Sequence, residues 1–371
     1  MITNSDTTIC TKQEEFKLNE IDDGPTSYTG GTIIKDEGIS LQLPDDIKSN
    51  VLLSLSEKHD NEPELQDCLR IYEKLVAAWE GHRVVQAYKH LVEFEEKVAQ
   101  SQKSLSSASQ KCLSVLQEEN KLLFQDCRSD YEFAKTGLDM FDDHEGWTTE
   151  SIGKDLTTKY KMIPRTALIS LRFEAILDIP LLNVLALLYE IDLYSEWVPF
   201  LTQSEQLKSI HRASKVVYIK TSLPPPLADR DAFLYGIGVD YSVEDGSIMI
   251  LAKSLDTNPE LMKRHQVDAS KTTKNVKMEM KFACFKIKPL GRNRCEMLGI
   301  ANVDPKITFL PSRVLNWLVR KTTTMLIERM LKKAQVLEGT PWEKAMQHPD
   351  KKVFYDWLNA KVEEVLSKLS K

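Results

Sequence analysis

The sequence has no run of about 18 apolar residues, so no segment is a candidate to cross a bilayer as a helix. Its six cysteines, Cys10, Cys68, Cys112, Cys127, Cys284 and Cys295, show neither CxxC nor Cys/His spacing. That argues against a zinc site and for reduced, packed thiols. The seven histidines (His59, His82, His90, His144, His211, His265, His348) have no Ser/Asp or Cys partner at telling positions, and there is no phosphate loop. An enzyme is therefore not expected, and no cofactor is called for. Basic residues are not interleaved with aromatic ones and the net charge is −6, which speaks against nucleic acid. The first residues, MITNSDTTICTKQEEFKLNE, lack a basic stretch followed by an apolar one. The expectation is a cytoplasmic protein.

What is present is ordinary globular composition at a length, 371 residues, that favours more than one domain. Charge is unevenly spread. Residues 1–66 hold fourteen Asp/Glu against five Lys/Arg, whereas Lys306 to Lys333 holds seven Lys/Arg against Glu328 alone. The basic end could meet an anionic membrane face, and a solvated helix face explains it equally well.

Residues 1–60 are rich in Asp, Glu, Ser, Thr and Gly and read as a flexible acidic leader. From 61 to 142 the period is helical. Leu69, Tyr72, Leu75, Val76 and Trp79 recur, Gly81 interrupts, and Val84, Val85, Tyr88, Leu91 and Val92 resume, which predicts a hairpin. After a Ser-rich break at 104–109, Cys112, Leu116, Leu123, Cys127, Tyr131 and Ala134 predict a third helix and hence a small all-α bundle. Bundles of this kind serve docking or oligomerisation, so a protein partner is open to these helices.

Past Gly146 the period shifts to strands: Thr166–Leu177, Lys215–Ser222, Asp231–Asp240, Ser247–Ser254, Val276–Lys288 and Arg294–Val303, with a short helix LLNVLALLYE after Pro180. Pro311 opens a long helix, SRVLNWLVRKTTTMLIERMLKKAQVLE, stopped by Gly339 and Pro341. A tail helix, Val353–Leu369, ends the chain, either packing on the domain or offered to a partner. The fold class is α+β, an antiparallel sheet followed by one long helix free to cover its concave face.

Several residues stand out within this pattern. Trp197, beside Pro199 and Phe200, is a large apolar anchor. Leu234 and Gly236 share a strand face with Ala232 and Gly238, opposite Phe233, Tyr235, Ile237 and Val239; an apolar second face implies a strand covered on both sides, with the helical region outside it. Met278, Met280 and Phe282 alternate with charged residues as one inward face, and methionine adapts to flexible ligands. On the long helix Leu318, Thr322 and Met325 recur at helical spacing, with Leu315. Arg172 and Glu174, two apart, share a face and are candidates for a buried polar pair, though an exposed pair is the commoner case. Leu223 opens the Pro-rich stretch LPPPLAD, which with segment 255–275 could gate an interior.

Three segments, LLYEIDLYSEWVPF (187–200), KVVYIKTSLPPPLADRDAFLYGIGVD (215–240) and FLPSRVLNWLVRKTTTMLIERMLKK (309–333), resemble START (steroidogenic-acute-regulatory-related lipid transfer) domains in order and spacing. The resemblance implies a helix-grip fold over 143–340, a curved antiparallel sheet around the long C-terminal helix, preceded by the all-α bundle and followed by the tail helix at 341–371. It implies a lipid ligand (phospholipid, sterol or related) in an internal tunnel, transfer or sensing between membranes, and transient contact with a membrane surface, peripherally from the cytoplasm. A scaffold whose domain only senses lipid is the alternative, and a helix-grip enzyme a remoter one. The tunnel set is Arg172, Trp197, Leu223, Leu234, Gly236, Met278, Met280, Phe282, Leu318, Thr322 and Met325. Choline-binding members carry an aromatic cage and an internal charged pair that Ile219, Ala232 and Ser195 do not supply, and the arginine of sterol-binding members corresponds to Gly236.

Overall fold

The computed structural model of the chain describes residues 62–153, 155–162, 168–223, 225, 227–268, 275–307 and 312–369. The acidic leader expected at 1–60 lies outside them, as does part of each expected gate.

The chain enters on four helices: α1 (Pro63–Glu80), α2 (Val84–Ser101), α3 (Ser107–Glu119) and α4 (Lys121–Asp142). Pro63 occupies the first turn of α1, where its missing N–H costs nothing. Leu65, Leu69, Tyr72 and Leu75 of α1 then pack against Leu91, Phe94 and Val98 of α2. The Ser-rich break works as a cap, Ser106 Oγ accepting from Ser109 N at 3.2 Å to start α3. A single third helix was expected here; the structure has two. Asn120 separates them, its amide donating to Leu116 O at 2.8 Å and accepting from Tyr72 Oη at 2.8 Å. A buried side chain that ties off the last carbonyls in this way ends the helix.

The sheet that follows runs β1 (Thr148–Gly153), β2 (Leu156–Met162), β3 (Ile169–Leu177), β4 (Leu201–His211), β5 (Ser214–Thr221), β6 (Arg230–Tyr241), β7 (Ser247–Ser254), β8 (Val276–Lys277), β9 (Glu279–Gly291) and β10 (Arg294–Asp304). Its spatial order is β1-β2-β3-β10-β9-β7-β6-β5-β4, antiparallel along the whole path, with β8 added in parallel to β6. Strands β1, β2 and β4 were not foreseen. They lie at the two ends of the sheet, where few apolar positions are needed and the sequence reads as polar (TTESIG, LTTKYKM, LTQSEQLKSIH).

Both faces of the sheet are covered. On the outer face, Phe133, Ala134 and Phe141 of α4 join Phe233, Tyr235, Ile237, Val239 and Phe282 in one core, so helices and sheet are continuous across residue 142. On the inner face lie α5 (Leu181–Tyr189), a 3-10 turn (Ile191–Glu196), α7 (Ser312–Gln335), α8 (Pro341–Gln347) and α9 (Pro349–Leu369), while α6 (Pro259–Arg264) sits within the 255–275 connection. The tail helix α9 packs on its own domain, burying Phe354, Tyr355, Leu358, Val362 and Val365. Tyr355 donates to Glu190 Oε1 at 2.7 Å, and Lys351 pairs with the other oxygen of that carboxylate.

One close approach gives a test of the sheet's inner surface. Gly299 of β10 pairs with Phe173 of β3, and a Cβ at 299 would fall 2.1 Å from Phe173 Cε1. Gly299→Ala is expected to cost about 1–3 kcal/mol in chemical denaturation by displacing that ring. Adding Phe173→Leu should recover part of the loss; strict additivity of the two would mean the ring does not cross the glycine.

Candidate ligand cavity

Because side chains alternate along a regular strand, the inner face presents Lys215, Val217 and Ile219 from β5 and Leu234, Gly236, Gly238 and Asp240 from β6; β9, interrupted by a bulge, adds Met280 on one side of it and Ala283 and Phe285 on the other. With Leu188 and Tyr189 of α5, Trp197, Leu326, Ile327 and Met330 of α7, and Phe354, Trp357, Leu358 and Val365 of α9, these residues enclose a cavity of about 360 Å³. Almost all the surface it offers is hydrocarbon or aromatic. At one end Leu171 lines the wall and packs on Ile169 and Ile307.

At another part of the wall, the turn after α1 and the tail helix bring in polar groups that satisfy one another. His82 adopts φ 57°, a left-handed backbone, and its carbonyl accepts from Asp240 N at 2.8 Å. Its ring meets Trp357 edge-on at 5.6 Å, and burial holds the imidazole neutral, pushing its pKa down to about 3. The Asp240 carboxylate takes Arg83 Nε at 3.3 Å and Lys361 Nζ at 3.4 Å, while Arg83 also reaches Glu364 at 3.4 Å.

Of the residues singled out from the sequence, Trp197, Leu234, Gly236 and Met280 meet at this cavity. Met278 stands beside it, packed with Leu201, Ile219 and Leu234. Leu223 lies one layer out at the Leu171 end, against Ile169 and Ile307. Leu318 has its side chain outside the described residues. Thr322 and Met325 are half-buried, but the helix turns Leu326, Ile327 and Met330 to the cavity instead.

Two expected site residues face away from it. Met280 pairs with Val303 and Phe282 with Asn302, leaving Lys281 as an extra residue in β9. That bulge reverses the alternation, so Phe282 points outward and meets Phe133 edge-on at 5.6 Å. Arg172 also belongs to the outer face. Its guanidinium donates to Phe141 O at 2.7 Å and Asp143 O at 3.2 Å, holding the C-terminus of α4, and its Nε lies 3.1 Å from Glu174 Oε1. The pair expected there exists, but as a helix clamp between the bundle and the sheet.

The Arg-Asp pair that opens β6 clamps loops as well. Arg230 Nε donates to Pro305 O at 3.1 Å, and Asp231 Oδ2 accepts from Tyr218 Oη at 3.1 Å and from the Asn275 amide at 3.0 Å. Lys215, His82, Asp240 and the α9 residues were missed from the sequence as cavity residues. For Lys215 a signal existed, since it shares the face of Val217 and Ile219 by simple alternation. No described helix is long and apolar enough to cross a membrane, and no metal-type cluster occurs among the described residues.

A curved antiparallel sheet closed over an apolar cavity by a long helix defines a helix-grip protein. The START domain family model matches residues 132–339, more than half of the chain, and the chain belongs to that family. At the level of the family this places it among lipid-binding and lipid-transfer domains. Among solved structures, human STARD10 is similar over 59% of this chain and 89% of its own, at 17% identity and a TM-score of 0.45. Human StAR-related lipid transfer protein 5 is similar over 56% and 95%, at 17% identity and 0.46. A STAR-related lipid transfer protein from Xanthomonas axonopodis is similar over 52% and 100%, at 17% identity and 0.41. No curated protein matches the chain. Residues 63–131, most of the helical bundle, and the two last helices fall outside the family match.

Proposed function

We propose that the protein holds one lipid in this cavity and carries it between membranes without changing it chemically. The carrying observation is a cavity with an almost wholly apolar wall in a chain of the START family. Each Å² of apolar ligand surface removed from water contributes about 25 cal/mol, so a few hundred Å² suffice to retain a water-insoluble molecule non-covalently. The volume lies near the small end of ligand cavities, which run from roughly 300 to 1,000 Å³. It suits a single chain or one compact ring system better than a lipid with two long chains. Lys321, Arg329 and Lys332 are exposed on α7, and this cationic strip supports a transient encounter with the anionic cytoplasmic face of a membrane.

Native mass spectrometry of the purified full chain should reveal a retained lipid of unaltered mass. Fluorescent-lipid transfer between vesicles should then rise with protein concentration and with acidic lipid in the acceptor. Recovery of a chemically modified lipid would favour an enzyme, and failure to move any lipid class would leave the carrier reading without support.

A further inference from the structure

The charged groups on the cavity wall are not equivalent. Asp240 and Lys361 pair with each other and with Arg83 or Glu364. Lys215 is different. It is 7% exposed, its side chain points inward from β5, and no carboxylate lies within ion-pair distance of it among the described residues. Its Nζ donates to Tyr189 O at 3.0 Å and sits 3.2 Å from the centre of the Tyr189 ring. An ammonium has three N–H donors, so donors remain for something else.

The nearby carboxylate of Glu190 is already engaged by Lys351 and by Tyr355 Oη at 2.7 Å. The space beside Lys215 is also distinctive. Its partner across the strand pair is Gly236, where a Cβ would meet only Leu251 O, at 3.6 Å. A lysine stem therefore lies next to bare backbone, with room above it for a ligand atom. Burying a charge in hydrocarbon is costly unless an opposite charge or several hydrogen bonds meet it; one carbonyl and the face of the Tyr189 ring offset part of that cost but supply no opposite charge.

Resting on the reading of this cavity as the ligand site, we propose that Lys215 is the head-group anchor and that the preferred ligand is a lipid bearing a carboxylate, an acyl or ring body ending in one acid group. The carboxylate would complete the ammonium's coordination over Gly236, and the hydrocarbon would run along Leu234, Met280 and Met330. Burial pushes the Lys215 amine down to about 7, opposed by Glu190 and reinforced by Lys351, as expected of an ammonium lacking its counter-ion. Lys215 is a specificity-determining residue in this reading.

Calorimetric titration of the full chain with dodecanoic acid, its methyl ester and dodecanol tests it. The three share a hydrocarbon body, and only the acid carries charge. A charge-assisted hydrogen bond at a buried ammonium is expected to give the acid an advantage of about tenfold or more over the ester. Lys215→Met, which keeps the apolar stem, should abolish that advantage, bringing acid and ester to within about twofold of each other. Equal affinity of wild type for acid and ester overturns the carboxylate proposal and leaves the carrier reading intact, and this comparison stands even where the variant fails to fold. Binding of other lipids but none of the three overturns it in the same way; retention of no lipid at all removes both.

Discussion

Gly236→Phe is expected to lower affinity for any ligand of the cavity by about a hundredfold or more, with no loss of thermal stability. The two inward glycines of β6 differ in what lies in front of them. A Cβ at Gly236 meets only one backbone oxygen, at 3.6 Å, so a ring placed there grows into the cavity. It occupies the space beside Lys215, its partner across the strand pair, and a loss of about 3 kcal/mol of binding corresponds to the hundredfold. Stability should hold, because the added ring is buried among apolar side chains and an aromatic residue suits a strand better than glycine. A Cβ at Gly238 would instead come 3.2 Å from Ala213 Cβ, so Gly238→Phe should destabilise the fold itself by crowding the β4–β5 turn. The contrast is the test. Wild-type affinity in a folded Gly236→Phe protein would move the ligand out of this cavity.

Much of this site was legible in the sequence because period-two alternation is a strong signal on strands buried on both sides. It placed Leu234 and Gly236 on one face and Phe233 and Tyr235 on the other, and it marked Met280. The same rule misplaced Phe282 because it has no knowledge of a bulge; one unpaired residue, Lys281, turns the rest of β9 over. On α7 the apolar residues Met325, Leu326, Ile327, Met330 and Leu331 nearly encircle the helix, so the period gives a stripe but not its direction. The neighbours decide it: α5 and the sheet draw in Leu326, Ile327 and Met330. Arg172 and Glu174 were correctly paired, yet β3 is covered on both faces, and nothing local says which face holds the ligand. The break at Asn120 depends on Tyr72, a residue 48 positions away. The contribution of α9 to the wall is likewise a matter of tertiary docking, although its apolar period was plain.

Replacing Asp130 by asparagine is expected to remove a pH dependence of stability amounting to about 4 kcal/mol. Asp130 lies in α4 at the interface with the sheet, 4% exposed, where Tyr235 Oη donates to its carboxylate at 3.2 Å. Its other charged neighbours are Asp126, paired with Arg264, and Lys253, whose ammonium rests over Phe133 at 4.4 Å. Burial, helped by Asp126, pushes the carboxyl up to about 7 from 3.8, against the pull of Tyr235, Lys253 and Arg264. The folded state thus holds a proton that the unfolded state releases. Between about pH 4 and 7 folding takes up that proton, so stability is full below the unfolded value and falls as pH rises through the folded one. At about 1.4 kcal/mol per unit, three units give the expected total. Asparagine has no such titration. Its amide retains the Tyr235 hydrogen bond but brings N–H donors that cost about 1–3 kcal/mol where unpaired, so the diagnostic is the slope and not the absolute stability. Urea denaturation of both proteins from pH 5 to 8 should show wild type losing stability relative to Asp130→Asn as pH rises. A constant difference across that range would mean the carboxyl is already ionised at pH 5 and that the bundle and sheet tolerate a buried negative charge between them.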